Sequence, residues 1–101
     1  MIEYITFDKS GTTLIRCPKY ISGNCVVPET TMFIKHEAFR DCKQLTSIEL
    51  PYNIQYIGYG AFKGCSRLVY INIPSSVQYI HNELLKGCTS LKEIHIQWLT
   101  P

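Results

Sequence analysis

The side chains best suited to metal or nucleophilic chemistry are five cysteines and three histidines in a chain of 101 residues. Their spacing decides between chemistry and packing. Cys42, Cys65 and Cys88 recur at intervals of 23 residues. A period of that size belongs to stacked repeat architectures, in which fixed positions of every repeat face the interior. A zinc site needs four ligands converging on one point, and one thiol per repeat with no histidine in a matching column does not supply them. Buried free thiols packing as small hydrophobes are the expected role of the cysteine column. His36, His81 and His95 fall in three different columns of the same period, so they are expected as solvated surface residues. A disulfide between Cys17 and Cys25 stays open as an alternative, subject to their Cα separation, although Cys25 occupies an inward column. The sequence has no glycine-rich phosphate loop, nucleophile motif or recurrent carboxylate pair. The expectation is a protein that is not an enzyme and holds no cofactor.

The elements that carry these residues repeat with them. HEAFRDCKQLTSIELP (His36 to Pro51), YGAFKGCSRLVYINIP (Tyr59 to Pro74) and NELLKGCTSLKEIHIQ (Asn82 to Gln97) align without a gap. Beside the cysteines, the set Phe39, Phe62, Leu85, the set Leu45, Leu68, Leu91 and the set Ile48, Ile71, Ile94 keep the same spacing. These four columns are the expected core ladder. A partial repeat enters at Asn24 and the last copy runs out after Ile96, which makes about three and a half coils. SIEL, YINI and EIHI alternate and are rich in β-branched residues, as strands are. Strands recurring in one direction every 23 residues must pair in parallel with their counterparts one coil away. Pro28, Pro51 and Pro74 end them, because proline cannot donate to the next ladder bond. On the return side the pairs Ile54/Ile57 and Val77/Ile80 predict further short strands. EAFRDC, GAFKGC and ELLKGC predict short helical or 3₁₀ turns. The column Phe33, Tyr56, Tyr79 is expected to stack ring on ring along that face.

Residues 1–23 do not follow the repeat. IEYITF and TTLIR alternate on either side of DKSG, which predicts an N-terminal β-hairpin cap and loop ahead of a solenoid over 24–101. The fold class is thus an α/β repeat solenoid. A formal charge of +2 with scattered lysines and arginines gives no footprint for nucleic acid. No window has the apolar length of a membrane span. The N-terminus lacks a basic region followed by an apolar run, so it is not a secretory signal. Either the chain stays inside the cell, or its signal has been removed or lies outside these residues.

The pattern of Leu45, Ile48, Leu50, Pro51, Ile54, Ile57, Gly58, Ala61, Phe62, Cys65 and Leu68, repeated at 23, closely resembles the BspA-like, or Treponema pallidum type, leucine-rich repeats. The resemblance implies a right-handed coil stack with its parallel strands on a concave face. It also implies a bacterial surface or secreted protein that binds host or matrix proteins. Alternation places Ser47 and Glu49, Tyr70 and Asn72, and Glu93 and His95 outward on the strand face, where a protein partner is expected to bind. A carbohydrate surface built on exposed tyrosines and a purely structural array are the competing readings. The apolar Leu91, Ile94, Ile96, Trp98 and Leu99 near the C-terminus suggest self-association through that end, or continuation into a longer array.

Overall fold

The computed structural model of the chain describes residues 4–96. Trp98 and Leu99, and the expected hairpin residue Ile2, lie outside them. Short β-branched segments bounded by turns give eight strands among the described residues: β1 (Thr6–Phe7), β2 (Thr13–Arg16), β3 (Gly23–Val26), β4 (Phe33–Ile34), β5 (Leu45–Glu49), β6 (Tyr56–Ile57), β7 (Tyr70–Ile73) and β8 (Glu93–Ile96). They form two sheets, ordered β1-β2-β4-β6 and β3-β5-β7-β8. From β2 to β7 the chain alternates between the sheets, and every neighbour pair except the antiparallel β1 and β2 is parallel. The register follows the repeat: Ile48 lies opposite Ile71, and Ile71 opposite Ile94. The result is a β-solenoid of about four turns.

The hairpin forms as its turn chemistry predicts. Asp8 Oδ1 accepts the amides of Thr12 and Thr13 at 3.2 and 3.1 Å, and Ser10 donates to the same carboxylate. These bonds hold the Asp8 carboxyl below the usual carboxylate range, the Thr13 amide contributing most. The hairpin also belongs to the stack, because β2 pairs with β4 through Thr13–Phe33 and Leu14–Ile34. The expected boundary after residue 23 falls inside β3.

The core occupies the space between the sheets. Phe39, Phe62, Cys42, Cys65, Leu45, Leu68, Ile48 and Ile71 are fully buried. Phe39 and Phe62 touch with ring centroids 5.1 Å apart and tilted by 39°, so the aromatic column packs directly between coils. The ladder is more open in the last coil: Leu85, Cys88 and Leu91 pack against the core but are half-buried, and Ile94 is 43% exposed. No further coil among the described residues covers their outer side.

The described residues contain no helix, so the expected helical or 3₁₀ turns do not form as regular elements. In their place run successive turns closed by bonds from an amide to the carbonyl three residues back, such as Ala38 to Lys35 and Cys42 to Phe39. Left-handed residues break any longer helical run: Glu37 and Asp41 at φ 55° and 58°, then Gly60 and Gly64 one repeat on at 59° and 80°. Coils approach closely at Gly58, where a Cβ would overlap the backbone of Lys35 and His36.

Each proline that ends a strand uses its carbonyl to start the next turn, accepting the amide of Thr31, Ile54 or Val77. Those three residues form one buried column, and Thr31 alone brings a hydroxyl, which finds no partner in the described structure. Burying that group unpaired costs free energy that its apolar neighbours in the column do not incur. Thr31→Val keeps the shape and removes the orphan, so it should stabilise the chain by about 1 kcal/mol. Urea denaturation checks this, and a lower midpoint for the variant would contradict the account.

Candidate interaction surface

The β3-β5-β7-β8 sheet presents two outward columns. Register places Asn24, Ser47, Tyr70 and Glu93 in one, and register together with the 23-residue period places Val26, Glu49, Asn72 and His95 in the other. All six residues expected on this face are therefore brought together, but they are not equally available. Ser47 Oγ donates to Asn24 Oδ1 at 2.5 Å, and Asn24 Nδ2 to Glu49 Oε2 at 2.7 Å, which ties the first two coils across the sheet. Asn72 is half-buried. Its Oδ1 accepts the Leu50 amide at 2.7 Å, and its Nδ2 donates to the Leu50 carbonyl at 3.0 Å.

The reason for that last pair lies in Pro51, which cannot donate to the ladder where β5 ends. A carboxamide carries the donor and acceptor of a peptide group, so Asn72 extends the pairing by one residue through its side chain. The expected ligand-facing role of Asn72 thus gives way to a structural one. Glu49, Glu93 and His95 remain exposed, Tyr70 is half-buried between them, and Val26 is 65% exposed beside Glu49.

The interior thiols form a ladder of weak donors. Cys65 Sγ lies 3.1 Å from the Phe39 carbonyl and Cys88 Sγ 3.1 Å from that of Phe62, each one coil back. Cys42 reaches the Cys17 carbonyl at 3.5 Å. The Phe39 and Phe62 carbonyls already accept the amides of Cys42 and Cys65, so each thiol supplies a second donor to a buried acceptor. Cysteine suits that place because it fills a small apolar site and still donates. All five cysteines are free, Cys17 and Cys25 included. The hydrogen bond to the neighbouring thiol, and burial after it, push Cys17 and Cys65 upward. The same hydrogen bonds pull their partners Cys42 and Cys88 downward. No group of three potential ligands is arranged to hold a metal among the described residues.

The return side differs from its expected ring stack. Tyr56 and Tyr79 both turn toward His81 instead, meeting it edge-on with centroids 5.6 and 4.8 Å away, while Tyr59 stands at 6.5 Å. His81 is half-buried rather than solvated, and its Nε2 is buried without a partner among the described residues. His36 remains exposed, accepting the Tyr59 amide at Nδ1.

A charged column adjoins this cluster. Glu83 Oε1 meets Lys63 Nζ at 2.8 Å and its Oε2 meets Lys86 Nζ at 3.6 Å, while two repeats before Glu83, Glu37 meets Arg40 at 2.7 Å. The Lys63 and Tyr59 hydrogen bonds pull Glu83 down to about 2, and the same carboxylate raises Tyr59. The recurrence of a cation at 40, 63 and 86 was the sequence signal for this network.

Two outcomes follow from these contacts. A carboxyl depressed on folding contributes stability above its unfolded value and loses it as pH falls toward its folded one. The melting temperature should therefore drop between about pH 4.5 and about pH 2, and Glu83→Gln should flatten that part of the curve. An unchanged slope in the variant would show that other carboxylates carry the acid limb. For the thiol ladder, Cys65→Ala leaves a small cavity and removes a donor. It should cost about 1 to 3 kcal/mol, measured by chemical denaturation, with no effect of chelator on either protein.

Comparison with known proteins agrees with this geometry. The family described as the BspA type leucine rich repeat region (6 copies) matches residues 16–99. Among solved structures, the leucine rich repeat protein of T. pallidum is 27% identical and superposes with a TM-score of 0.75, over 81% of this chain and 40% of that one. A leucine rich cell surface protein from Faecalibacterium prausnitzii A2-165 is 23% identical with a TM-score of 0.49, over 88% of this chain and 36% of that one. No curated protein sequence matches. The matched stretch thus covers less than half of either solved structure. With the match covering its inward columns and the solenoid superposing, the chain belongs to the BspA-type leucine-rich repeat family.

Proposed function

We propose that the chain is a non-enzymatic protein-binding module of a bacterial surface or secreted protein, and that the β3-β5-β7-β8 face meets the partner. The supporting observation is the outward set Glu49, Tyr70, Glu93 and His95, held on a continuous parallel ladder and, apart from the Glu49–Asn24 bond, without side-chain hydrogen bonds among the described residues. A tyrosine flanked by carboxylates and an imidazole is the composition of a recognition centre with a polar rim. Four strands about 4.8 Å apart span only about 15 Å, much less than a standard interface needs on each partner. Tight binding through this face therefore draws on further repeats or a second contact.

A second reading, carbohydrate binding, is favoured by one observation: the exposed Tyr79 ring packs beside a histidine whose Nε2 has no partner among the described residues. Probing immobilised extracellular matrix proteins and a glycan panel side by side separates the two. Glu49→Lys with Tyr70→Ala should weaken protein binding by roughly tenfold or more, and Tyr79→Ala should leave it unchanged. Glycan binding that is abolished by Tyr79→Ala and untouched by the sheet-face pair would select the second reading.

A further inference from the structure

The turn segments of successive coils are stitched together by their backbones. Amides of Glu37, Phe39 and Asp41 donate to the carbonyls of Tyr59, Ala61 and Lys63, and those of Phe62 and Gly64 donate to Leu84 and Lys86. The accepting carbonyls thus point back toward the preceding coil. One repeat earlier their equivalents are His36, Ala38 and Arg40. The Ala38 carbonyl receives the Cys17 amide at 2.8 Å, whereas those of His36 and Arg40 receive no donor among the described residues. The cause is a short connection: residues 17–22 join β2 to β3, where 35–44 and 58–69 join the corresponding strands of the next two coils. The missing length leaves a cleft of about 550 Å³ between Arg16–Lys19 and the first turn segment.

Charge in the cleft has a definite sign. Glu37 and Asp41 both engage Arg40, at 2.7 and 3.8 Å. Arg16, Lys19 and Lys35 line the cleft with no carboxylate partner among the described residues. An isolated anion would satisfy these cations but face two carbonyl oxygens. A polyamine would satisfy the carbonyls but face three cations. An acidic polypeptide supplies amide donors for the first and carboxylates for the second. Another whole coil does not fit, since β1 already occupies the outer edge of β2, but a single segment reaches the cleft from the open side.

We propose that this cleft docks an acidic peptide segment of a partner protein, whose amides bond the His36 and Arg40 carbonyls while its carboxylates pair with Arg16, Lys19 and Lys35. The segment would take the place that the turn of the preceding coil takes elsewhere in the stack. This surface is separate from the β3-β5-β7-β8 face, and the proposal does not rest on that face being used.

The test is a titration of the ¹⁵N-labelled full chain with an acetylated, amidated Gly-Asp-Glu-Gly-Asp-Glu peptide, followed by amide chemical shifts. A lysine-for-acid peptide, the acidic peptide N-methylated at alternate positions, and inorganic phosphate serve as comparison probes. Saturable shifts centred on Cys17, Ala38 and Arg40 with the acidic peptide are expected. N-methylation should abolish them, and the lysine peptide and phosphate should not produce them. Lys19→Glu with Lys35→Glu, both at exposed positions, should weaken binding by roughly tenfold or more at an unchanged melting temperature. Glu49→Lys with Tyr70→Ala should leave peptide binding intact, so that failure of the sheet-face reading is seen separately. Equal shifts with phosphate or with the N-methylated peptide would reduce the cleft to a basic patch and overturn the proposal. So would an acidic peptide that produces no saturable shift, or one bound equally well by the double-lysine variant.

Discussion

Each coil of this solenoid completes its backbone hydrogen bonds only through the next, and everything else follows from that dependence. A parallel ladder leaves no strand able to pair within its own coil, so the strand amides and carbonyls are satisfied across the stack, while the turns also close bonds of their own. The 23-residue register is what allows this, because it brings strand to strand and turn to turn at every level. Side chains then serve the same end where the backbone falls short. The thiols of Cys65 and Cys88 reach back one coil to a carbonyl, and Asn72 stands in for a ladder bond beside Pro51.

Seen this way, the repeat divides into positions that hold the stack and positions that it displays. Ser47 and Asn24 bond to each other across the sheet face, and so do more to join coils than to meet a partner. Tyr70, Glu93 and His95 make no such bond among those described and stand on the displayed side. Among the described residues, the first and last coils each lack a neighbour on one face that the coils between them have. At one end Ile94 and Ile96 are exposed, and at the other the carbonyls of His36 and Arg40 receive no donor among the described residues.

The apolar columns were legible in the sequence because burial recurs at the same place in every coil, so Phe39 and Phe62 or Ile48 and Ile71 announce themselves by spacing. Strand direction and pairing followed from the same period. What stayed hidden was local. Asn72 alternates outward like any surface residue, and only the proline after the neighbouring strand hinted that a side chain would have to replace a peptide group. The left-handed turns had a cue in Gly64 and Gly87, but Glu37 and Asp41 adopt the same conformation without being glycine, and pattern alone suggested a helix there. The His81 cluster brings together residues from two coils and three different columns. No single periodicity marks it, and its ring geometry depends on how the return side packs.

The hydrogen bonds of both sheets run along the stack, from each coil to the next, rather than along the chain. A pull applied along that axis would load the coils as springs in series, with every level carrying the full tension and the least-bonded level yielding first. A pull across the axis would instead shear many ladder bonds at once. The same molecule is therefore soft in one direction and stiff in the others, and its compliance is set by how it is tethered as much as by how well it is folded.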